Sequence, residues 1–255
     1  MQIPTYNENR MEIDKIYNMD CLEGMRRIPT ASIDAIICDL PYGTTACAWD
    51  SVIPFDQLWE QYKRIAKPNA PIVLFGSEPF SSYLRLSNIE WYKYDWIWVK
   101  TKASGFLDAN RKPLKLHETI SVFSDRPHTY NPQGLVKGVF KTGRDANMEG
   151  KVYGAYKNHE ASEFGNYPKS VLKFANPSGA GHLHPTQKPV DLLRYLIRTY
   201  SNEGDTILDN CMGSGTTAVA CIKEKRHFIG FELNKQYYDK ACQRISAEQR
   251  QLTLF

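Results

Sequence analysis

"TILDNCMGSGTTAVA", residues 206–220, is the stretch that decides the fold. A short apolar run ends in Asp209, Gly213-Ser214-Gly215 follows, and "TTAVACIKEK" then carries the small and apolar residues of a buried helix. Glycines at such a junction let the backbone come close to a ligand at the positive end of the helix. The next apolar run, "HFIGFEL", reaches Glu232 about twenty residues after the glycines, where nucleotide-type βαβ units carry an acid for a ribose. A lone GxG says little. Its weight here comes from strand, turn, helix, strand and acid standing in register.

Gly213, Gly215 and Ala218 also satisfy the GxGxxA fingerprint of nicotinamide-binding folds. Only 23 residues follow Glu232 in this chain, too few for the further βαβ units such a fold sets after its fingerprint. The remaining strands are therefore expected upstream. "AIICDLPYG", residues 35–43, supplies one: β-branched in its middle, ending in Asp39, and turning through Pro41 and Gly43. "IDKIYNMD" reads as a short strand ending near Asp20, with a helix after it that carries Leu22, Met25 and Ile28. "PFDQLWEQYKRIAK" sets Phe55, Leu58, Trp59, Tyr62 and Ile65 on one helical face, and "PIVLFG" is another buried strand. "FSSYLRLS" and "KPVDLLRYLIRTY" read as helices, "YKYDWIWVKT" and "ETISVFS" as strands. The alternation predicts an α/β fold around a mostly parallel sheet with helices on both faces. Asp20, Asp39, Asp209 and Glu232 then gather at the carboxyl ends of strands, the edge where open α/β sheets bind ligands.

The 255 residues, 42% hydrophobic and 24% charged, can bury a full core. A net charge of +4 permits a polyanionic partner without demonstrating one. Six cysteines with no CxxC pair and no His/Cys ligand spacing predict reduced thiols, a cytoplasmic location and no metal. The start, "MQIPTYNENRMEIDK", lacks the apolar core of a secretion signal, and no apolar run reaches bilayer length, so no membrane partner is expected.

In combination these residues resemble the β group of amino-methylating DNA methyltransferases, bacterial and phage modification methylases in which the catalytic tetrapeptide precedes the cofactor-binding segments. "DLPYG" is similar to the group's (D/N/S)-P-P-Y motif, with Leu40 for the first proline. "HPTQKP", residues 184–189, and "DNCMGSGTT" are similar to its two cofactor-binding segments, and "GFEL" to its ribose-binding acid. "NRKPLKLHETISVF" resembles the stretch that closes its catalytic half. The resemblance implies a Rossmann-like, circularly permuted methyltransferase fold: a catalytic half over residues 11–125, a target-recognition insert over 126–182, and a cofactor-binding half over 183–248. It implies S-adenosyl-L-methionine as methyl donor. Asp20 would stand near its adenine amine, Asp209 toward the methionine ammonium, Glu232 on the ribose hydroxyls, and Thr186 and Lys188 near the methionine carboxylate. Cys21, Cys211, Gly213, Ser214, Gly215 and Thr216 complete the expected lining. His184 belongs to one of these segments, so His182 and His184 are not read as a metal pair. Asn210-Cys211 stands where Pro-Phe is common and removes an aromatic wall, while Leu40 leaves a less rigid turn.

An exocyclic amine on a base is a poor nucleophile because its lone pair is delocalised into the ring. Acceptors on its hydrogens, the Asp39 carboxylate and the Leu40 carbonyl, would draw the nitrogen toward tetrahedral geometry. Pro41 sets the turn, and Tyr42 would stack on a base flipped out of the duplex. The chain has no Pro-Cys pair of the kind used for carbon-5 methylation of cytosine. In the resembled group Asp in the first position favours adenine N6. A cytosine-N4 enzyme is the alternative, and a catalytically silent DNA-binding protein of the same fold is a further one. Lys100, Lys102, Arg111, Lys112 and Lys115, with Arg126 and Arg144, are expected on the phosphates of double-stranded DNA. A homodimer and a separate restriction endonuclease complete the expected partners.

Overall fold

A computed structural model of the chain describes residues 11–44, 50–141, 161–177 and 187–252. They divide into two compact units. One joins the residues up to Asn131 with those from Ser170 onward, and the other runs Pro132–Lys169.

The larger unit is built on β1 (Lys15–Tyr17), α1 (Cys21–Arg26), β2 (Ala35–Asp39), α2 (Phe55–Ile65), β3 (Ile72–Gly76), α3 (Phe80–Ser87), β4 (Tyr92–Ser104) and β5 (Lys115–Phe123). The smaller unit holds β6 (Val136–Lys141) and β7 (Ala161–Gly165). The larger one resumes with β8 (Val171–Lys173), α4 (Val190–Tyr200), β9 (Thr206–Asp209), α5 (Thr216–Lys223), β10 (His227–Phe231) and α6 (Lys235–Leu252). Its eight strands form one sheet in the order β1-β10-β9-β2-β3-β5-β4-β8. The first five are parallel, β5 is antiparallel to β3 and β4 to β5, and β8 lies parallel to β4.

The parallel strands read as continuous apolar runs because both of their faces are covered. Along β2, Ala35 and Ile37 point to one core and Ile36 and Cys38 to the other. The first core takes Leu192 and Leu196 of α4, Ala218 of α5 and Ala241 of α6. The second takes Met25 of α1, Leu58 and Tyr62 of α2, and Leu84 of α3. This two-sided burial holds β2, β9 and β10 in fixed register and so fixes where their carboxyl ends lie. On β5, Thr119 pairs with Gly76, the last residue of β3. Glu118, one residue further, therefore sits at the same ligand-facing edge.

The irregular stretch that begins at residue 126 is not all insert. Leu172 of β8 is buried in the first core, and Val171 to Lys173 pair with Ile97 to Val99 of β4. A three-residue strand is too short to show a periodicity, and its partner lies over seventy residues away. The chain leaves and re-enters this unit at fastened points. Asn131 N–H donates to the Thr199 carbonyl at 2.7 Å, and Ile97 N–H donates to the Ser170 carbonyl at 2.8 Å. The smaller unit, taken alone, is an antiparallel pair with Val136 opposite Gly165 and Lys141 opposite Ala161. Among the described residues no helix is long and apolar enough to cross a membrane.

Candidate active site

A cavity of about 460 Å³ opens at the carboxyl ends of β1, β10, β9 and β2, and Asp20, Asp39, Asp209 and Glu232 all line it. Asp20 caps α1, its carboxylate accepting from Glu23 N–H at 3.0 Å. Asp209 ends β9 and accepts from Cys211 N–H at 3.0 Å and from the Thr217 hydroxyl at 2.5 Å. Burial pushes its carboxyl up to about 6. Glu232 follows β10 and accepts from the N–H groups of Gly213 and Asn234, each at 2.8 Å, with burial raising its pKa. The glycine turn is thus tied to the acid of the next strand. Gly213 and Gly215 hold φ of +56° and +79°, in the left-handed region that side chains resist. Among the described residues no atom beyond its chain neighbours lies within 4 Å of where a Gly213 Cβ would stand, at the cavity wall.

These residues fit the cofactor that the resemblance implies. An ammonium, a diol and an exocyclic amine each need carboxylate acceptors, and the cavity offers three acids beside an open glycine turn. Ser214 and Thr216 are buried at the turn, the first donating to Gln187 Oε1 at 3.3 Å and the second accepting from Arg244 at 3.0 Å. Asn210 replaces the expected proline by a polar clamp. Its Oδ1 accepts from the Tyr62 hydroxyl at 2.5 Å, and its Nδ2 stands 3.7 Å from the Cys21 sulfur and 3.6 Å from that of Cys211. Burial pushes the neighbouring Cys38 thiol up to about 12. A thiol held protonated in this way is no nucleophile.

The second part of the cavity is the turn after β2. The Tyr42 hydroxyl donates to Asp39 Oδ1 at 2.7 Å, and the Tyr42 ring lies 5.0 Å from that of Phe80. Leu40 buries its side chain in the second core. The looseness expected from the missing proline is offset by Asp50, a residue the sequence did not single out. Its carboxylate accepts from the N–H groups of Tyr42 (2.8 Å), Gly43 (2.9 Å) and Thr44 (2.9 Å). Three convergent backbone donors make an anion nest, which no spacing rule announces.

Lys188 Nζ reaches the other oxygen of Asp39 and also lies 3.3 Å from Glu118 Oε2. Its side chain is only 8% exposed. Burial pushes Asp39 above the ordinary carboxylate range against the pull of Lys188. Burial also opposes charge on Glu118, but Lys188 and Lys100 outweigh it and hold that carboxyl low. The ammonium of Lys188 is therefore engaged with Asp39 and Glu118; the expectation had it near the methionine carboxylate of the cofactor.

A family model described as DNA methylase, for N6 and N4 methylation, matches residues 33–243. The chain belongs to the N6/N4 DNA methylase family. The methylase is 28% identical over 263 residues to the type II methyltransferase M1.MboII of Moraxella bovis, spanning 91% of this chain and 96% of that protein. Among solved structures it resembles the complex of M1.HpyAVI with SAM, at 25% identity and a TM-score of 0.61, over 91% of this chain and 98% of that one. The cytosine-N4-specific PvuII DNA methyltransferase shares the fold, with a TM-score of 0.66 and 16% identity over 94% and 92% of the two chains.

The methylase distributes the remaining expected residues unevenly. Lys102 is exposed near the end of β4, Arg111 and Lys112 are exposed between β4 and β5, Lys112 paired with Asp108 at 3.0 Å, and Lys115 is half-buried on β5. Arg126 is exposed beside Asp125. Lys100 differs from what was expected. Its ammonium is drawn inward to Glu118 Oε1 at 2.6 Å and its side chain is 10% exposed, so it serves the carboxylate rather than a phosphate-facing surface. Thr186 and Arg144 lie outside the described residues, as does the pair His182 and His184. Among the described residues no group of three His, Cys, Asp or Glu side chains is set to hold a metal ion.

Proposed function

We propose that the methylase transfers a methyl group from S-adenosylmethionine directly to the N6 amine of an adenine flipped out of double-stranded DNA. The observation that carries this reading is the Asp39 carboxylate at the end of β2, held by the Tyr42 hydroxyl at 2.7 Å on the wall of the cavity. Each carboxylate oxygen has two lone pairs, so Asp39 keeps acceptor capacity for an incoming amine beside its two present partners. When bound, S-adenosylmethionine supplies an electrophilic methyl on a sulfonium. Asp20, Asp209 and Glu232 would hold its amine, ammonium and ribose. Asp39 and the Leu40 carbonyl would accept the two hydrogens of the target amine, and the Tyr42 ring would stack on its base. The nitrogen lone pair forms the new N–C bond as the S–C bond breaks, with that bond's electrons staying on sulfur. The excess proton on nitrogen passes to the Asp39 carboxylate.

In the same reading, residues 11–125 form the catalytic half and 183–248 the cofactor-binding half, and target recognition falls within 126–182 to the separate unit Pro132–Lys169, β8 belonging to the main sheet. Lys102, Arg111, Lys112, Lys115 and Arg126 would meet phosphates. The likeness to a cytosine-N4-specific enzyme keeps that base as the competing reading. Nucleoside mass spectrometry on unmethylated duplex DNA incubated with protein and S-adenosylmethionine separates them. N6-methyladenine that vanishes in Asp39→Ala supports the proposal. N4-methylcytosine would replace the base, and no methylated nucleoside despite cofactor binding would leave a silent DNA-binding protein.

A further inference from the structure

Glu118 is an acid of the cavity wall that has no role in the reading above. It lies on β5, one residue beyond the Gly76–Thr119 pair, and its side chain is 13% exposed. Its Oε1 accepts from Lys100 at 2.6 Å. Its Oε2 is buried and makes no hydrogen bond among the described residues, yet stands 3.3 Å from Lys188 Nζ, at ion-pair distance. Lys188 is thereby shared between two carboxylates, Asp39 on one side and Glu118 on the other. The row Asp39, Lys188, Glu118, Lys100 alternates in sign and sums to zero.

A simple ion pair between Asp39 and Lys188 would make a poor catalytic acceptor. A buried carboxylate fully claimed by one ammonium has little basicity left for an amine hydrogen. A second carboxylate on the far side of the ammonium draws part of that positive charge away. We infer that Glu118 is a positioning residue: by pulling Lys188 against itself, it leaves Asp39 anionic but only half-neutralised, and so a stronger acceptor for the target amine. The inference rests on the methyl-transfer reading for its purpose, but the coupling it describes exists in the protein alone. Among the described residues, the charged and titratable groups that face Glu118 are Lys188 before α4, Lys100 from β4, Asp39 at the end of β2, Tyr42 from the turn after it, and Lys115 on its own strand.

The sign of the coupling makes it testable. In Glu118→Gln a negative charge is lost and Lys188 turns wholly to Asp39, so the Asp39 carboxyl midpoint moves down. In Lys100→Met the partner that restrains Glu118 is lost, Lys188 is drawn further from Asp39, and the midpoint moves up. Both are read by carbon-detected NMR of the Asp39 carboxyl in protein without cofactor. On duplex DNA, the single-turnover methylation rate of Glu118→Gln should fall by between about tenfold and a hundredfold, with the acid limb of its pH profile shifted down, and Glu118→Asp should restore part of the rate. Opposite midpoint shifts in the two variants establish the coupling. An unmoved midpoint in both overturns it, as does an upward shift in Glu118→Gln. A wild-type protein that methylates no base while the midpoints move as stated would defeat the proposed function and leave the coupling standing.

Discussion

In the proposed reading, folding and cofactor binding pull Asp209 in opposite directions. Its carboxyl is raised to about 6 by burial, whereas in an unfolded chain it titrates near about 3.9. Between those values the folded state holds a proton that the unfolded state has released. The contribution of Asp209 to stability therefore falls as pH rises from about 4 to 6. A cofactor ammonium, by contrast, needs the anion. Calorimetric affinity for S-adenosylmethionine should weaken as pH drops below about 6, and Asp209→Asn should bind weakly with that dependence flattened. Tyr42 separates two duties of one side chain. Tyr42→Phe keeps the ring beside Phe80 but loses the hydroxyl on Asp39. Its single-turnover rate should fall about tenfold, while 2-aminopurine emission at the target position, which reports a flipped base, stays near wild type.

At the scale of elements, the loop after β2 owes its shape to Asp50 rather than to its own backbone chemistry. Asp50→Ala leaves three N–H groups without their carboxylate. It should cost about 2–3 kcal/mol in urea unfolding and lower turnover more than cofactor affinity, since Asp39 and Tyr42 flank the freed segment. The same loop marks the boundary of what was legible in the sequence. Runs such as Ile36-Ile37-Cys38 and Ile207-Leu208 announced buried strands because two-sided burial leaves a continuous apolar signature. Acids at their ends were legible for the same reason: each breaks such a run where the strand stops. Asp50, Glu118 and the inward turn of Lys100 were not legible. Their meaning depends on partners brought close by sheet order, and an isolated acid or lysine in a strand or loop looks the same whether it meets solvent or another charge. β8 escaped too, because three residues carry no period.

Across the whole molecule the net charge is only +4, and exposed cations are spread over the surface, Arg27, Lys93, Lys102, Arg111, Lys112 and Lys235 among them. DNA affinity should therefore depend on salt through few contacts. Removing Lys102 or Arg111 should each reduce the slope of log affinity against log salt by about 0.9, measured by fluorescence anisotropy. Lys100→Ala should leave that slope unchanged, since Lys100 is spent on Glu118.

The fastened ends of the smaller unit have a consequence for how such an enzyme diversifies. Asn131 is tied to the end of α4 by its backbone and by its side chain, which donates to the Arg198 and Ser201 carbonyls, while Ser170 leads directly into β8. Everything between them departs from one anchored residue and returns to another. A foreign segment spliced from 132 to 169 would replace no residue of the eight-stranded sheet and none of the acids Asp20, Asp39, Glu118, Asp209 and Glu232. The chain is arranged as a socket. Its chemistry is inherited with the sheet, and the segment plugged into it is free to drift, be exchanged between lineages, or be replaced by design.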